Sequence, residues 1–173
     1  MSKKTPVPIM SVDEERFMAF EGLVQWTQGV IAQGERLTRV KLTLAPFEKR
    51  RATFYKRQCQ AHYFAIAAWK LLEHRKWVTQ LGLCANVDFS EIDGFSETDI
   101  RDLRDMREHV LDYFKGIGRN KARWVKQTPE FKVDASTITG TKIGGRLDWK
   151  KFGNAARRLR AQLLKEPIPY PPR

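Results

Sequence analysis

The chain has 173 residues, of which 42% are hydrophobic, and it carries 32 Lys and Arg against 20 Asp and Glu, a formal net charge of +12. This length and apolar content suffice to bury the core of one ordinary domain without disulfide or metal staples, which excludes a largely disordered chain. The positive charge favours an anionic partner, of which nucleic acid is the commonest; the alternative is a basic solvated surface without a ligand.

The sequence predicts no metal site and no cofactor. Its two cysteines, Cys59 and Cys84, lack the Cys-x-x-Cys or Cys/His spacing of a zinc site. The glycines at 140–145 lie in a predicted hairpin and lack the strand-to-helix context of a phosphate-binding loop. No apolar run approaches about 20 residues, and no charged segment followed by an apolar stretch opens the chain. We therefore expect a cytoplasmic protein without a membrane segment.

The first predicted helix follows an extended N-terminal arm, residues 1–11, which contains two prolines. Ser11 and the acidic residues after it are typical of a helix start, because carboxylates near the N-terminus interact favourably with the helix dipole. We expect this helix to end at about Gln33 and Gly34. Its predicted buried residues are Phe17, Phe20, Val24, Val30 and Ile31.

A long second helix is predicted from Pro46 to about residues 80–82, since proline is favoured in the first turn and apolar residues then recur at three- and four-residue steps. This spacing places the apolar residues on one broad stripe. The predicted stripe consists of Tyr55, Cys59, His62, Ile66 and Trp69.

The third predicted helix comes after a loop over residues 83–94. Ser96, followed by acidic residues, starts this helix. It is expected to extend to about Lys115, because Gly116 and Gly118 then favour termination.

A short β-hairpin is predicted at about 133–147, where β-branched residues flank Gly140. Asp148 is a suitable N-cap for a fourth helix, which the proline-rich tail at 166–173 cannot continue. The apolar face of this helix consists of Phe152, Ala155, Ala156, Leu159 and Leu163. The opposite face carries Lys150, Arg157 and Arg158.

These elements predict a mainly α protein, a four- to five-helix bundle with a small β-hairpin before the last helix. The bundle is expected to form a single domain over residues 12–165. The arm and the tail lie on either side of it.

The third helix carries the candidate catalytic cluster. Asp105 and His109 are four residues apart, so the carboxylate can accept a hydrogen bond from the imidazole, and Tyr113 lies one turn further on the same face. Arg104 precedes His109 by five residues, about 140° around the helix, so the two flank a shared edge. Such an edge could bind a phosphate group.

This cluster resembles the motif of the HEPN superfamily, helical bundles whose active members carry Arg-x4–6-His, commonly with a polar residue after the arginine. Residues 104–109, Arg-Asp-Met-Arg-Glu-His, match that pattern. The long helix before the motif and the final helix after it extend the resemblance over about residues 12–165. A second match, from Arg57 to His62, falls in the apolar stripe of the second helix, where a core histidine is the commoner role.

The resemblance implies a metal-independent endoribonuclease, because active HEPN proteins cleave RNA with two motifs that meet across a homodimer interface. His109 would then act as general base or acid on the ribose 2′-OH, and Arg104 would stabilise the developing charge on phosphorus. Asp105 would orient His109, and Tyr113 would be an accessory residue. A toxin or defence role is implied, with an antitoxin or another protein as a partner besides RNA.

The sequence also allows an interpretation without catalysis. Arg101, Arg104 and Arg107 could form only an intrahelical ion-pair lattice with their acidic neighbours. The protein would then be a catalytically inactive HEPN-like scaffold that binds RNA or a protein. The orientation of Arg104 and His109 distinguishes the two interpretations: a catalytic pair faces a cleft, whereas an ion-pair lattice points towards solvent.

A basic run after the third helix predicts nucleic-acid binding, because cations can follow a phosphate backbone while an aromatic ring stacks on a base. The alternative is a solvated surface. The run consists of Lys115, Arg119, Lys121, Arg123 and Lys126, with Trp124 as the stacking ring. The cations of the final helix, Lys150, Arg157 and Arg158, are predicted to extend the same surface.

Overall fold

The computed structural model describes residues 10–40, 46–119, 121–127, 129 and 132–169. Within these residues the fold is mainly α, with short antiparallel strands before the last helix, as predicted. The helices are α1 (Val12–Arg39), α2 (Phe47–Gln80), α3 (Ser90–Asp93), α4 (Glu97–Glu108), α5 (Val110–Phe114) and α6 (Trp149–Leu163). The strands are β1 (Val125–Gln127), β2 (Lys132–Asp134), β3 (Ile138–Thr139), β4 (Lys142–Ile143) and β5 (Leu147–Asp148).

Helix α1 begins as predicted but ends later. The Ser11 side chain accepts a hydrogen bond from the Glu14 amide at 3.2 Å, and the Glu14 carboxylate accepts one from the Ser11 amide at 2.8 Å. The predicted end at Gly34 is wrong, because Gly34 is buried beside Phe64 of α2 and tertiary packing carries the helix on to Arg39. Of the predicted core residues, Phe20, Val30 and Ile31 are buried, and Phe17 and Val24 are half-buried.

The predicted apolar stripe of α2 is wrong. Tyr55 and Cys59 are exposed, and His62, Ile66 and Trp69 are half-buried. The helix instead turns an alanine-rich side towards α1, because small side chains let the two helices approach closely. The buried residues of α2 are Ala61, Phe64, Ala65, Ala67, Ala68, Leu71, Leu72 and Val78.

The third predicted helix is divided in two at His109. The Ser96 side chain caps α4 as predicted, accepting from the Asp99 amide at 3.2 Å. His109 has φ −107° and ψ 33°, outside the helical range, so α4 ends there and α5 begins at the next residue. Gly116, with φ +73°, follows the end of α5, which agrees with its predicted role as a terminator.

The predicted hairpin is present as β3 and β4, with Ile138 opposite Ile143 and Gly140 in the turn at φ +57°. Strand β5 pairs with β4 and extends the hairpin to a three-stranded sheet. A second pair, β1 with β2, was not predicted, because β1 lies within the basic run and has no alternation of apolar and polar residues.

Helix α6 is capped by Asp148 as predicted, since its carboxylate accepts from the Lys150 and Lys151 amides at 3.1 and 3.0 Å. All five residues of its predicted apolar face are buried, and the helix packs on α1 and α3. Phe152 lies in the middle of the core, with its ring 6.2 Å from that of Phe64 and 4.8 Å from that of Phe95.

The predicted arm lies outside the described residues except for its last two positions, Met10 and Ser11. The tail is described as far as residue 169, where it has no regular secondary structure, and 170–173 lie outside the described part. No helix among the described residues combines the length and apolar character needed to cross a membrane.

Candidate functional site

A cleft of about 790 Å³ lies along α4 and α5 and the segment that follows them. Its described lining contains four arginines and one histidine against three aspartates, so the site offers more cations than carboxylates. Six of the predicted site residues line this cleft: Arg104, Asp105, His109, Tyr113, Arg119 and Arg123.

Arg104 is held as a fixed cation on the cleft wall. Its Nη1 donates to the Asp105 carboxylate at 2.6 Å and lies 2.9 Å from the Glu108 carboxylate. Its guanidinium carbon lies 5.9 Å from the centre of the Trp69 ring, within cation–π range. Arg104 therefore lines the cleft and also takes part in the ion-pair lattice. Features of both the catalytic interpretation and the lattice interpretation are present at this residue.

His109 is the most accessible of the predicted catalytic residues, with 63% of its side chain exposed. The expected Asp105–His109 hydrogen bond is not among the contacts of the described residues, because His109 departs from helical geometry; the Asp105 carboxylate accepts from Arg104. The His109 Nδ1 lies 3.8 Å from the Asp112 carboxylate, a distance that allows attraction but not a direct hydrogen bond. The break between α4 and α5 thus places the imidazole beside Asp112.

Tyr113 holds the far wall of the cleft. Its hydroxyl donates to the backbone oxygen of Arg119, and its ring stacks on Trp124 with centroids 5.2 Å apart. Burial, with Asp105 and Asp102 nearby, raises the pKa of Tyr113, so its hydroxyl stays protonated as a donor at neutral pH. Gly118 passes directly over this ring: a Cβ there would lie 2.7 Å from the ring atoms.

Two ion pairs fix the basic run against α4. Arg123 binds the buried Asp102, and Lys126 lies 3.3 Å from Asp99. Both cations are thereby partly neutralised. Trp124 is half-buried, because Tyr113 and the edge of Phe114 pack against its ring, and its role in stacking a base stays a prediction.

The remaining predicted cations divide into two groups. Lys115, Arg119 and Lys121 are exposed, and no carboxylate of the described residues pairs with them. Arg119 lines the cleft, whereas Lys115 and Lys121 do not. The cations of α6 do not line the cleft: Arg157 lies 3.6 Å from Glu35, and Arg158 binds Glu91. Lys150 lies over the Trp149 ring at 5.5 Å. The structure therefore gives α6 no direct part in this site.

Arg107, in the middle of the motif, has a role that the sequence did not indicate. It donates to the backbone oxygens of Ala135 at 2.9 Å and Ser136 at 3.2 Å, and to both the backbone and side-chain oxygens of Gln58 at 2.9 and 3.0 Å. Burial lowers the pKa of Arg107 to about 10, which still leaves it charged at neutral pH. Arg107 therefore joins α4, the strand region and α2, and it does not belong to the surface lattice.

Seven lining residues were missed as site residues, namely Trp69, Arg101, Asp102, Met106, Asp112, Ile117 and Gly118. The three-residue spacing of Arg101 and Arg104 was a usable signal, since residues i and i+3 share a helix face. No pattern predicted Trp69 as a site residue, because its spacing in α2 predicted a place in the apolar stripe.

The second Arg–His pair lies outside the cleft. Arg57 donates to the Gly140 oxygen at 2.9 Å, which ties α2 to the β3–β4 turn. His62 is half-buried, and burial together with the nearby Arg107 lowers its pKa. Both residues serve contacts within the fold.

Among the described side chains, no three of the His, Cys, Asp or Glu type cluster in a way that could hold a metal ion. Comparison of the chain with protein-family models, curated proteins and solved structures gave no match.

Proposed function

We propose that the protein is a metal-independent, HEPN-like endoribonuclease and that the cleft along α4 and α5 is its active site. The supporting observation is that Arg104, His109 and Tyr113 line one cleft together with the cations Arg119 and Arg123. A toxin or defence effector would use this chemistry. The test is whether the purified protein cuts single-stranded RNA in EDTA and leaves products that end in 2′,3′-cyclic phosphate.

In this proposal the ribose 2′-oxygen attacks the adjacent phosphorus, and the bond to the 5′-oxygen of the next nucleotide breaks. His109 accepts the 2′-OH proton or donates a proton to the leaving oxygen. Arg104, fixed by Asp105 and Glu108, stabilises the negative charge that develops on the phosphate oxygens. The Asp112 carboxylate lies 3.8 Å from the His109 Nδ1, and Asp105 acts through Arg104.

Two proton transfers need two groups, and each cleft contains one histidine. A two-fold dimer would bring a second Arg104–His109 pair to the site. Three exposed apolar side chains beside His109 support such an interface, namely Leu111, Phe114 and Ile117. Apolar residues clustered beside a polar cleft are typical of an interaction surface.

We expect the protein to be a dimer at micromolar concentration and the double variant Leu111→Glu/Ile117→Glu to be a monomer, because buried carboxylates without partners oppose association. Light scattering measures the mass in solution. The matched control is Leu164→Glu, which changes another exposed leucine at the end of α6 and should leave the dimer intact. A monomeric wild-type protein would disprove the proposed interface.

We further expect salt-sensitive RNA binding beside the cleft. Reversing two exposed cations, in Lys115→Glu/Lys121→Glu, should weaken binding and flatten the slope of log affinity against log salt by about 1.4 for single-stranded RNA. Fluorescence anisotropy over a salt series gives this slope. The control Lys151→Glu/Arg160→Glu makes the same charge change on α6; an identical slope in the two variants would mean that Lys115 and Lys121 are only solvated.

A second candidate function is RNA binding without cleavage, by an HEPN-like scaffold. The observation that favours it is that Arg104 already contacts two carboxylates, which reduces the charge it offers to a phosphate. This function predicts salt-sensitive binding with no cyclic-phosphate product.

A further inference from the structure

The first turns of α2 expose three aromatic side chains to solvent. Phe47 is 68% exposed, Phe54 49% and Tyr55 51%. Aromatic rings normally contribute to the core because burying them stabilises the fold strongly. Three exposed rings on one helical segment therefore indicate a surface with a partner.

These rings share one helix face with two arginines. Phe47, Arg50, Arg51, Phe54 and Tyr55 occupy positions i, i+3, i+4, i+7 and i+8, and they line one open groove of about 550 Å³. We call these five residues the α2 platform.

The rings of the platform are partly ordered by neighbouring side chains. Phe54 and Tyr55 pack edge to face with centroids 5.9 Å apart. The Arg51 guanidinium lies 5.5 Å from the centre of the Tyr55 ring and donates to the Tyr55 hydroxyl at 2.9 Å. Part of the ordering cost of binding is thus met before a ligand arrives.

The same end of the α1–α2 pair carries further cations. A second groove of about 430 Å³, on another side of α2, includes Arg36, Arg39 and Lys56. Among the described residues no carboxylate pairs with these three cations or with Arg50 and Arg51. An anionic partner would supply the missing counter-charge.

We propose that the α2 platform binds single-stranded RNA. The bases stack on the rings of the platform, and the phosphates contact Arg50 and Arg51. Exposed rings interleaved with cations are the arrangement by which proteins bind single strands, because every base presents a flat face and every linkage a charge. The five residues lie outside the lining of the cleft, so the platform is a separate RNA contact that does not depend on cleavage.

A lipid surface fits this face less well. Helices that lie on membranes keep an apolar face apart from their cationic face. On the platform the arginines stand between the rings, so inserting Phe54 and Tyr55 into a bilayer would also bury Arg50 and Arg51. Duplex RNA is disfavoured as well, because its bases are already stacked.

The experiment measures binding of a fluorescein-labelled single-stranded RNA of about 12 nucleotides by anisotropy, in a His109→Ala background that prevents cleavage. Phe54→Leu/Tyr55→Leu retains apolar bulk without a π-face and should weaken binding about tenfold or more. Arg50→Gln/Arg51→Gln should flatten the salt slope by about 1.4. The matched control, Lys151→Gln/Arg160→Gln, removes two exposed cations of α6 and should leave both quantities unchanged.

Unchanged affinity in the leucine variant would overturn the proposal, as would equal affinity of the wild-type protein for single-stranded and duplex RNA. A third outcome would assign the platform to a lipid surface instead. In that case the platform would not bind RNA, and both the wild-type protein and the leucine variant would bind phosphatidylserine vesicles. Absence of cleavage activity does not test RNA binding by the platform. The experiment can therefore disprove the platform without disproving the proposed active site, and the reverse. Far-ultraviolet circular dichroism of each variant verifies that the helices are intact.

Discussion

Replacing His109 or Arg104 by alanine is expected to lower the rate of RNA cleavage by at least about 100-fold, the usual contribution of a positioned acid–base group or of a fixed donor to the transition state. His109 is largely exposed and Arg104 makes its polar contacts with surface carboxylates, so neither change should unfold the protein. Single-turnover cleavage of an end-labelled RNA gives the rate, and thermal unfolding gives the fold control.

The matched control for these variants is Arg57→Ala, which removes the arginine of the second Arg–His pair outside the cleft and should retain cleavage. Cleavage should also persist in EDTA, since neither His109 nor Arg104 depends on a metal in the proposed reaction. If the wild-type protein cuts no RNA under these conditions, or if His109→Ala cuts as fast as wild type, the scaffold function replaces the catalytic one.

Arg107→Ala should reduce the free energy of unfolding by about 3 kcal/mol, because it removes a charged donor from four partly buried hydrogen bonds. Arg107→Lys should recover little of this loss, since one ammonium cannot reproduce the fork that spans Gln58 and the Ala135–Ser136 backbone. Urea unfolding followed by circular dichroism measures the change.

Arg101→Ala is the control for this prediction. Arg101 lies on the same helix, is about half exposed and has its Nε 3.8 Å from the Asp102 carboxylate, so its removal should cost less than about 1 kcal/mol. Equal stabilities of the Arg101 and Arg107 variants would show that the buried hydrogen bonds of Arg107 add no net stability.

The helix starts could be predicted because they depend on neighbours in the sequence. Ser11, Ser96 and Asp148 each cap a helix through a contact with a residue two or three positions away. The buried side of α2 could not be predicted in the same way. Its core residues include many alanines, whose burial depends on how closely α1 approaches, whereas the larger apolar residues that suggested a stripe lie on the flanks.

Part of the site could also be predicted, because it depends on the spacing of residues along one segment of the chain. The spacing of Arg104, His109 and Tyr113 indicated a common edge, and all three line the cleft. The break at His109 was not predictable, since no proline or glycine marks it. The contacts of Arg107 with Gln58 and Ala135 join residues 49 and 28 positions apart, which no local pattern reveals.

The close passage of Gly118 over the Tyr113 ring has a consequence for the entropy of binding. The backbone at Gly118 has no room to move towards the ring, and the hydroxyl of the same tyrosine holds the next carbonyl, that of Arg119. Arg123, a few residues further on, is tied to Asp102. Over its described residues this wall of the cleft is therefore preorganised, so binding a ligand there costs less conformational entropy than ordering a free loop would.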